Sequence, residues 1–331
     1  MKKILFTIFT SIQSIFIFGQ TVSIQNYIDS NMVNLIKVHN GKDATCVVLE
    51  TKTGNINFIS SYNTNKKGLF RDSSLIYQQN EDKGLFKLIS LWYLLEQHKV
   101  PLNQSVNIIN GVTYVNKIKI RDSYQYTGSI SLQESFTHSS DVGFVQFYKK
   151  YLKNDSGLFI SKLNTQFKLN EPVNLKGYGL NNFKENKLDK NNTILYSFGK
   201  GIKTDALHFL MCYNAIANDG KMIIPNTTGE TEILYQLDTE TLKSLQMSLN
   251  EVVRNGTASN LKDENGASEL SLKTSTNGDH SSFSMCGFFP KSNPKYTMII
   301  LFHSKEGIQG YSSNLLGYTF KSIAEKLESQ Y

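Results

Sequence analysis

The segment EDKGLFKLISLWYLLE, residues 81–96, is the strongest constraint on what this chain can fold into. Leu85, Leu88, Ile89, Trp92 and Leu95 recur at helical spacing, and Phe86, Leu91 and Leu94 fill the other faces. A helix that is apolar nearly all round has to be enclosed by protein. The spacing therefore predicts a central helix over residues 84–98, with Pro101 beyond its end as a stop.

The rest of the chain alternates between strand and helix patterns. Residues 22–39 read as a helical lead-in, with apolar Ile24, Tyr27, Ile28, Val33, Leu35 and Ile36. Residues 44–50 and 56–61 are β-rich runs joined by Lys52-Thr53-Gly54-Asn55, which predicts a hairpin. Residues 62–74 are polar and predict a loop. Ser131-Leu132-Gln133-Glu134 fits a capping box. A break at Ser139-Ser140-Asp141 precedes a helix over 142–152, and Thr204 is placed to cap a helix through Ala217. Residues 269–276, 282–289 and 296–303 read as consecutive antiparallel strands, and residues 314–327 as a closing helix. Strand pair, helical middle, three strands and final helix predict an α+β fold, its antiparallel sheet built from both chain ends and flanked by helices.

Residues 1–20, MKKILFTIFTSIQSIFIFGQ, have a basic start, an apolar stretch and Gly19 before Gln20. This predicts a signal peptide over 1–19 and an exported protein of the periplasm or cell envelope. The alternative is an uncleaved anchor, the one route to a membrane association. Ile4–Phe18 is short for a bilayer span and is interrupted by Thr7, Thr10, Ser11, Gln13 and Ser14. Net charge is +7, lower once Lys2 and Lys3 are removed, and no Lys/Arg-rich run points to nucleic acid. Cys46, Cys212 and Cys286 lie far apart in apolar runs and read as buried thiols, without disulfide or metal spacing. The histidines at 39, 98, 138, 208, 280 and 303 also lack metal spacing, so neither metal nor cofactor is expected.

Six stretches then line up in one order. Glu81-Asp82-Lys83-Gly84-Leu85-Phe86-Lys87 resembles the E-P-G-S-x-F-K segment of penicillin-binding transpeptidases. Ser139-Ser140-Asp141-Val142-Gly143-Phe144 resembles their Ser-x-Asn motif. Gly199-Lys200-Gly201 with Thr204, and the run from Asn214 to Lys221, resemble a G-x-G-x-x-x-T-P stretch and the A-A-I-A-N-G-G that follows it. Asn255-Gly256-Thr257-Ala258 and Lys273-Thr274-Ser275-Thr276 resemble the G-T-A/G landmark and the Lys-Thr-Gly-Thr motif. The resemblance is to the transpeptidase domain of class B penicillin-binding proteins over residues 40–330. It implies the serine β-lactamase/transpeptidase-like fold; read as one domain over 20–331, the chain is expected to have no room for the N-terminal pedestal these enzymes usually carry.

In that family a lysine activates a serine one helical turn earlier, a second serine relays the proton, and a Lys-Thr pair holds the substrate carboxylate. Carried across, the resemblance implies roles for Lys87, Ser139, Asp141, Lys273 and Thr274. The amides of Gly84 and Thr276 would form the oxyanion hole. Every motif departs from the pattern. Gly84 stands where the nucleophilic serine belongs. Asp141 replaces an amide and can pair with Lys87, locking it as a cation. Ser275 replaces a glycine that allows close backbone approach. Alone, Lys87 would read as a solvated helix residue, Ser139 as a turn residue and Lys273 as strand surface; the ordered set gives them a common site.

The leading expectation is a catalytically inactive binding or scaffold protein of peptidoglycan metabolism. Its partner would be a stem peptide, a β-lactam held non-covalently, or a cell-wall protein. The alternatives are an active D,D-transpeptidase or carboxypeptidase with an unrecognised nucleophile, or a serine β-lactamase-like enzyme or sensor.

Overall fold

Six antiparallel strands lie in the order Ser271–Thr276, Ser282–Phe289, Tyr296–Ser304, Gly41–Glu50, Ile56–Asn65, Gly68–Arg71. Cys46 sits opposite Ile300, so the sheet is closed by pairing the two ends of the chain, as expected. The computed structural model describes residues 23–123, 127–152, 155–178 and 181–330; the expected leader lies outside them. Among the described residues no helix is long and apolar enough to cross a membrane.

The central helix, Lys83–His98, is capped by Asp82, whose carboxylate accepts from Leu85 N–H. It ends at Lys99 in the left-handed conformation. Every residue from Gly84 to Leu95 is buried. Each large apolar side chain enclosed this way contributes about 1.5–3 kcal/mol, which is why the pattern specified the helix so firmly. One side of the helix packs on the edge strand Ser271–Thr276, another on the helix Ala206–Ala217, and another on Thr239–Arg254. The helix start therefore meets the sheet edge, and the cleft opens at that meeting point.

The helix over residues 23–38, the capping box at Ser131 and Glu134, and the helix Asp141–Tyr151 match expectation. Three readings need correction. Residues 62–74 are not a loop: Ile56–Asn65 continues and pairs with Gly68–Arg71, Tyr62 opposite Arg71. All four residues of that edge strand are exposed, so no apolar alternation announces it. The helix Ala206–Ala217 is capped by Asp205, not Thr204. The Asp205 carboxylate accepts from Leu207 and His208 N–H at 3.0 Å, while Thr204 is engaged in a backbone bridge with Asn80. The closing helix begins later than expected, Gly317–Glu328, after a short turn of helix over Ser312–Leu315. All three cysteines are buried and free.

Candidate functional site

A cleft of about 410 Å³ opens where the central helix starts, lined among others by Gly84, Lys87, Ser139, Asp141, Thr274 and Thr276. Residues from three distant stretches of chain thus share one wall. Lys273, expected beside them, lies behind that wall, fully buried.

Lys87 is one helical turn after Gly84 and faces the same cleft. Its Nζ donates to Asp141 Oδ1 at 2.6 Å, with Lys87 almost wholly out of water. Asp141 is held in place by its helix start. Ser140 accepts from Gly143 N–H at 2.8 Å and donates to Asp122 Oδ2 at 2.5 Å, and Asp122 Oδ1 accepts from Val142 N–H at 3.0 Å. Burial, and then the nearby Asp141 carboxylate, push the Asp122 carboxyl above its ordinary range. Ser139 precedes this cap in the left-handed region, at φ 60°. That conformation is uncommon for a residue with a side chain and turns the chain sharply between two helices. The Ser139 side chain lines the cleft and makes no hydrogen bond among the described residues.

The third stretch is the strand Ser271–Thr276. Lys273 Nζ donates to Thr274 O at 2.9 Å and sits 5.7 Å from the Phe136 ring centre. Burial, and then repulsion from Lys87, lower its pKa to about 7. A lysine so placed is a poor carboxylate clamp, because its ammonium is turned onto its own strand. Thr274 Oγ1 lies 2.7 Å from Thr257 Oγ1, which ties the strand to the Gly256-Thr257 turn. Thr276 Oγ1 lies 2.9 Å from Ser312 Oγ and accepts from Ser312 N–H at 2.9 Å.

Ser275 does the reverse of what its replacement of glycine suggested. Its hydroxyl accepts from Gly84 N–H at 2.9 Å, so strand and helix approach closely across their junction. Gly84 makes this possible: a Cβ there would stand 2.5 Å from Ser275 Cβ and from Thr274 O. Gly199, at φ +84°, is needed at the neighbouring wall, where a Cβ would stand 2.7 Å from Phe86 Cβ.

Sequence reading missed several residues of the site. Asp122 carries the Ser140 cap, and Arg121, His280, Tyr311 and Ser313 line the cleft. No local signal marks them, since each reaches the site only through tertiary packing. Asp82 and Glu81, at the start of the central helix, are each held by a residue distant in the chain. Asp82 accepts from Ser284 Oγ, and Glu81 Oε2 accepts from Gly201 N–H at 2.9 Å. Among the described residues no group of His, Cys, Asp and Glu is arranged to hold a metal.

The family model for the penicillin-binding protein transpeptidase domain matches residues 44–325. Solved structures share the fold at low identity. The transpeptidase domain of Burkholderia pseudomallei penicillin-binding protein 3 is 15% identical, with a TM-score of 0.74 over 92% of this chain and 93% of that one. A peptidoglycan glycosyltransferase from Burkholderia ambifaria is 16% identical, with a TM-score of 0.75 over 93% and 96%. Penicillin-binding protein 3 of Mycobacterium tuberculosis, solved with aztreonam, is 16% identical, with a TM-score of 0.74 over 93% and 77%.

Proposed function

The chain belongs to the penicillin-binding protein transpeptidase domain family, and from that premise we propose that it is a non-acylating member working in peptidoglycan metabolism. It is exported to the periplasm or cell envelope and binds there without turning over. One observation carries this reading. The residue one turn before Lys87 is Gly84, and Lys87 itself is held by Asp141 at 2.6 Å. Acyl transfer needs a nucleophile and a base able to take its proton. Gly84 offers no hydroxyl, and an ammonium paired to a carboxylate is a poor acceptor of protons.

What remains is a polar cleft with Ser139, Thr257 and Asn314 on its walls and Lys83 and Arg121 among its cations. A peptide stem or a β-lactam presents carboxylate and amide oxygens that such walls can bind reversibly. A cell-wall protein presenting an extended acidic segment is the alternative occupant.

Isothermal titration of the purified protein with a D-alanyl-D-alanine-terminated stem peptide tests the reading. The expected result is saturable binding fully reversed by gel filtration, with the peptide recovered intact. Release of D-alanine would refute it and favour a working D,D-carboxypeptidase or transpeptidase that uses another hydroxyl of the cleft.

A further inference from the structure

We propose that Ser275 is an internal plug. Its hydroxyl takes the place that a ligand's carbonyl or anionic oxygen would occupy at the Gly84 N–H, and its side chain fills the space beside Gly84. The inference rests on the family reading for the location of the site. It does not rest on the absence of catalysis.

The first N–H groups of a helix have no partner within it and sit at the positive end of its dipole. Such donors attract anionic and carbonyl oxygens. In the central helix the Leu85 N–H is taken by the Asp82 carboxylate. The Gly84 N–H, at the cleft wall, is taken by Ser275 Oγ at 2.9 Å. The donor available to a ligand is therefore already satisfied from within the protein.

The contact is also steric. A Cβ on residue 84 would stand 2.5 Å from Ser275 Cβ, 2.5 Å from Thr274 O and 2.6 Å from Ser275 Cα. Two of these are backbone atoms, which no side-chain rotation can move away. The strand is fixed from its other side as well. Ser275 O accepts from Ser312 Oγ, Thr276 Oγ1 accepts from Ser312 N–H, and Thr274 Oγ1 lies 2.7 Å from Thr257 Oγ1. Gly84 and Ser275 therefore depend on each other: glycine lets the strand in, and the serine hydroxyl satisfies the donor that the strand covers. A serine restored at position 84 alone collides with the strand.

The test compares the unaltered protein with Ser275→Ala, Ser275→Gly, Gly84→Ser and the double variant Gly84→Ser/Ser275→Gly. Exchange of the Gly84 amide is followed in glycine-labelled protein by NMR, and Tm by calorimetry. Losing the hydroxyl in Ser275→Ala should speed exchange of the Gly84 amide about three- to tenfold, the worth of one such hydrogen bond. Gly84→Ser should lower Tm by at least about 3 °C. Adding Ser275→Gly should recover part of that loss, as expected for residues in contact. If Gly84→Ser does not fold, the exchange measurement on Ser275→Ala decides alone. Unchanged Gly84 exchange in Ser275→Ala, an unchanged Tm in Gly84→Ser, or strictly additive losses in the double variant would overturn the plug. None of these readouts involves turnover or a ligand, so failure here is distinct from failure of the non-acylating reading.

Discussion

Lys87 Nζ and Asp141 Oδ1 are 2.6 Å apart, with the lysine side chain 2% exposed and the aspartate 21% exposed. The two partners are therefore not equivalent. The ammonium is out of water, whereas the carboxylate still meets solvent. Removing one partner of a fully buried pair costs about 3–5 kcal/mol, and the loss is less where one group is hydrated. Asp141→Ala, which strands the buried cation, should lower the unfolding free energy by about 2–3 kcal/mol. Lys87→Met, which leaves a carboxylate that water can reach, should cost less than about 1.5 kcal/mol. Urea titration of both variants checks the order, and the reverse order would contradict the geometry.

Lys273 gives the protein a pH signature on the basic side. Burial, with Lys87 adding to it, lowers its pKa from 10.5 to about 7. Between those values the unfolded chain holds a proton that the folded one has released, so stability rises with pH across that window. Below about pH 7 both forms are protonated and the gain is gone. Thermal unfolding between pH 7 and 10 should show this rise, and Lys273→Met should flatten it while raising stability at pH 7. A Lys273→Met profile parallel to that of the unaltered protein would refute the assignment.

His208 acts in the opposite sense. Its Nδ1 lies 2.8 Å from Asp205 Oδ1, and its Nε2 lies 3.0 Å from both Lys168 O and Glu171 O. Both ring nitrogens face acceptors, which calls for the doubly protonated ring. Burial pulls its pKa down, but Asp205 and the two carbonyls outweigh that and leave it raised above 6.5. A raised pKa gives stability that is complete below the unfolded value and lost as pH rises through the folded one. His208→Gln should therefore cost about 2–3 kcal/mol at pH 5–6, because it leaves buried acceptors unpaired. The difference should shrink toward pH 9. A difference independent of pH would show that the ring is neutral in the fold.

The parts of the fold legible in the sequence are those whose signal is local. The central helix declared itself through apolar residues on all its faces, and the Ser131–Glu134 capping box through its own spacing. The helix Thr239–Arg254 carries a local signal of the same kind: Asp238 as cap, then Thr241, Leu245, Leu249 and Val252 on one face. The strand Gly68–Arg71 carried none, because an exposed edge needs no apolar pattern. In the site, the company of Gly84, Lys87, Ser139 and Asp141 followed from their ordered stretches. The burial of Lys273 did not, since Phe136 closes over it from a separate helix. Nor did the contact of Gly84 with Ser275, set by packing between residues 191 apart in the chain.

The most direct measurement is the intact mass of the unaltered protein after incubation with excess penicillin. Gly84 has no hydroxyl, and the N–H beside it is already bonded to Ser275. The account predicts a single species at the mass of the protein itself, with no adduct at any time point. A stoichiometric penicilloyl adduct, mapped to another Ser, Thr or Cys and abolished by replacing that residue, would contradict it.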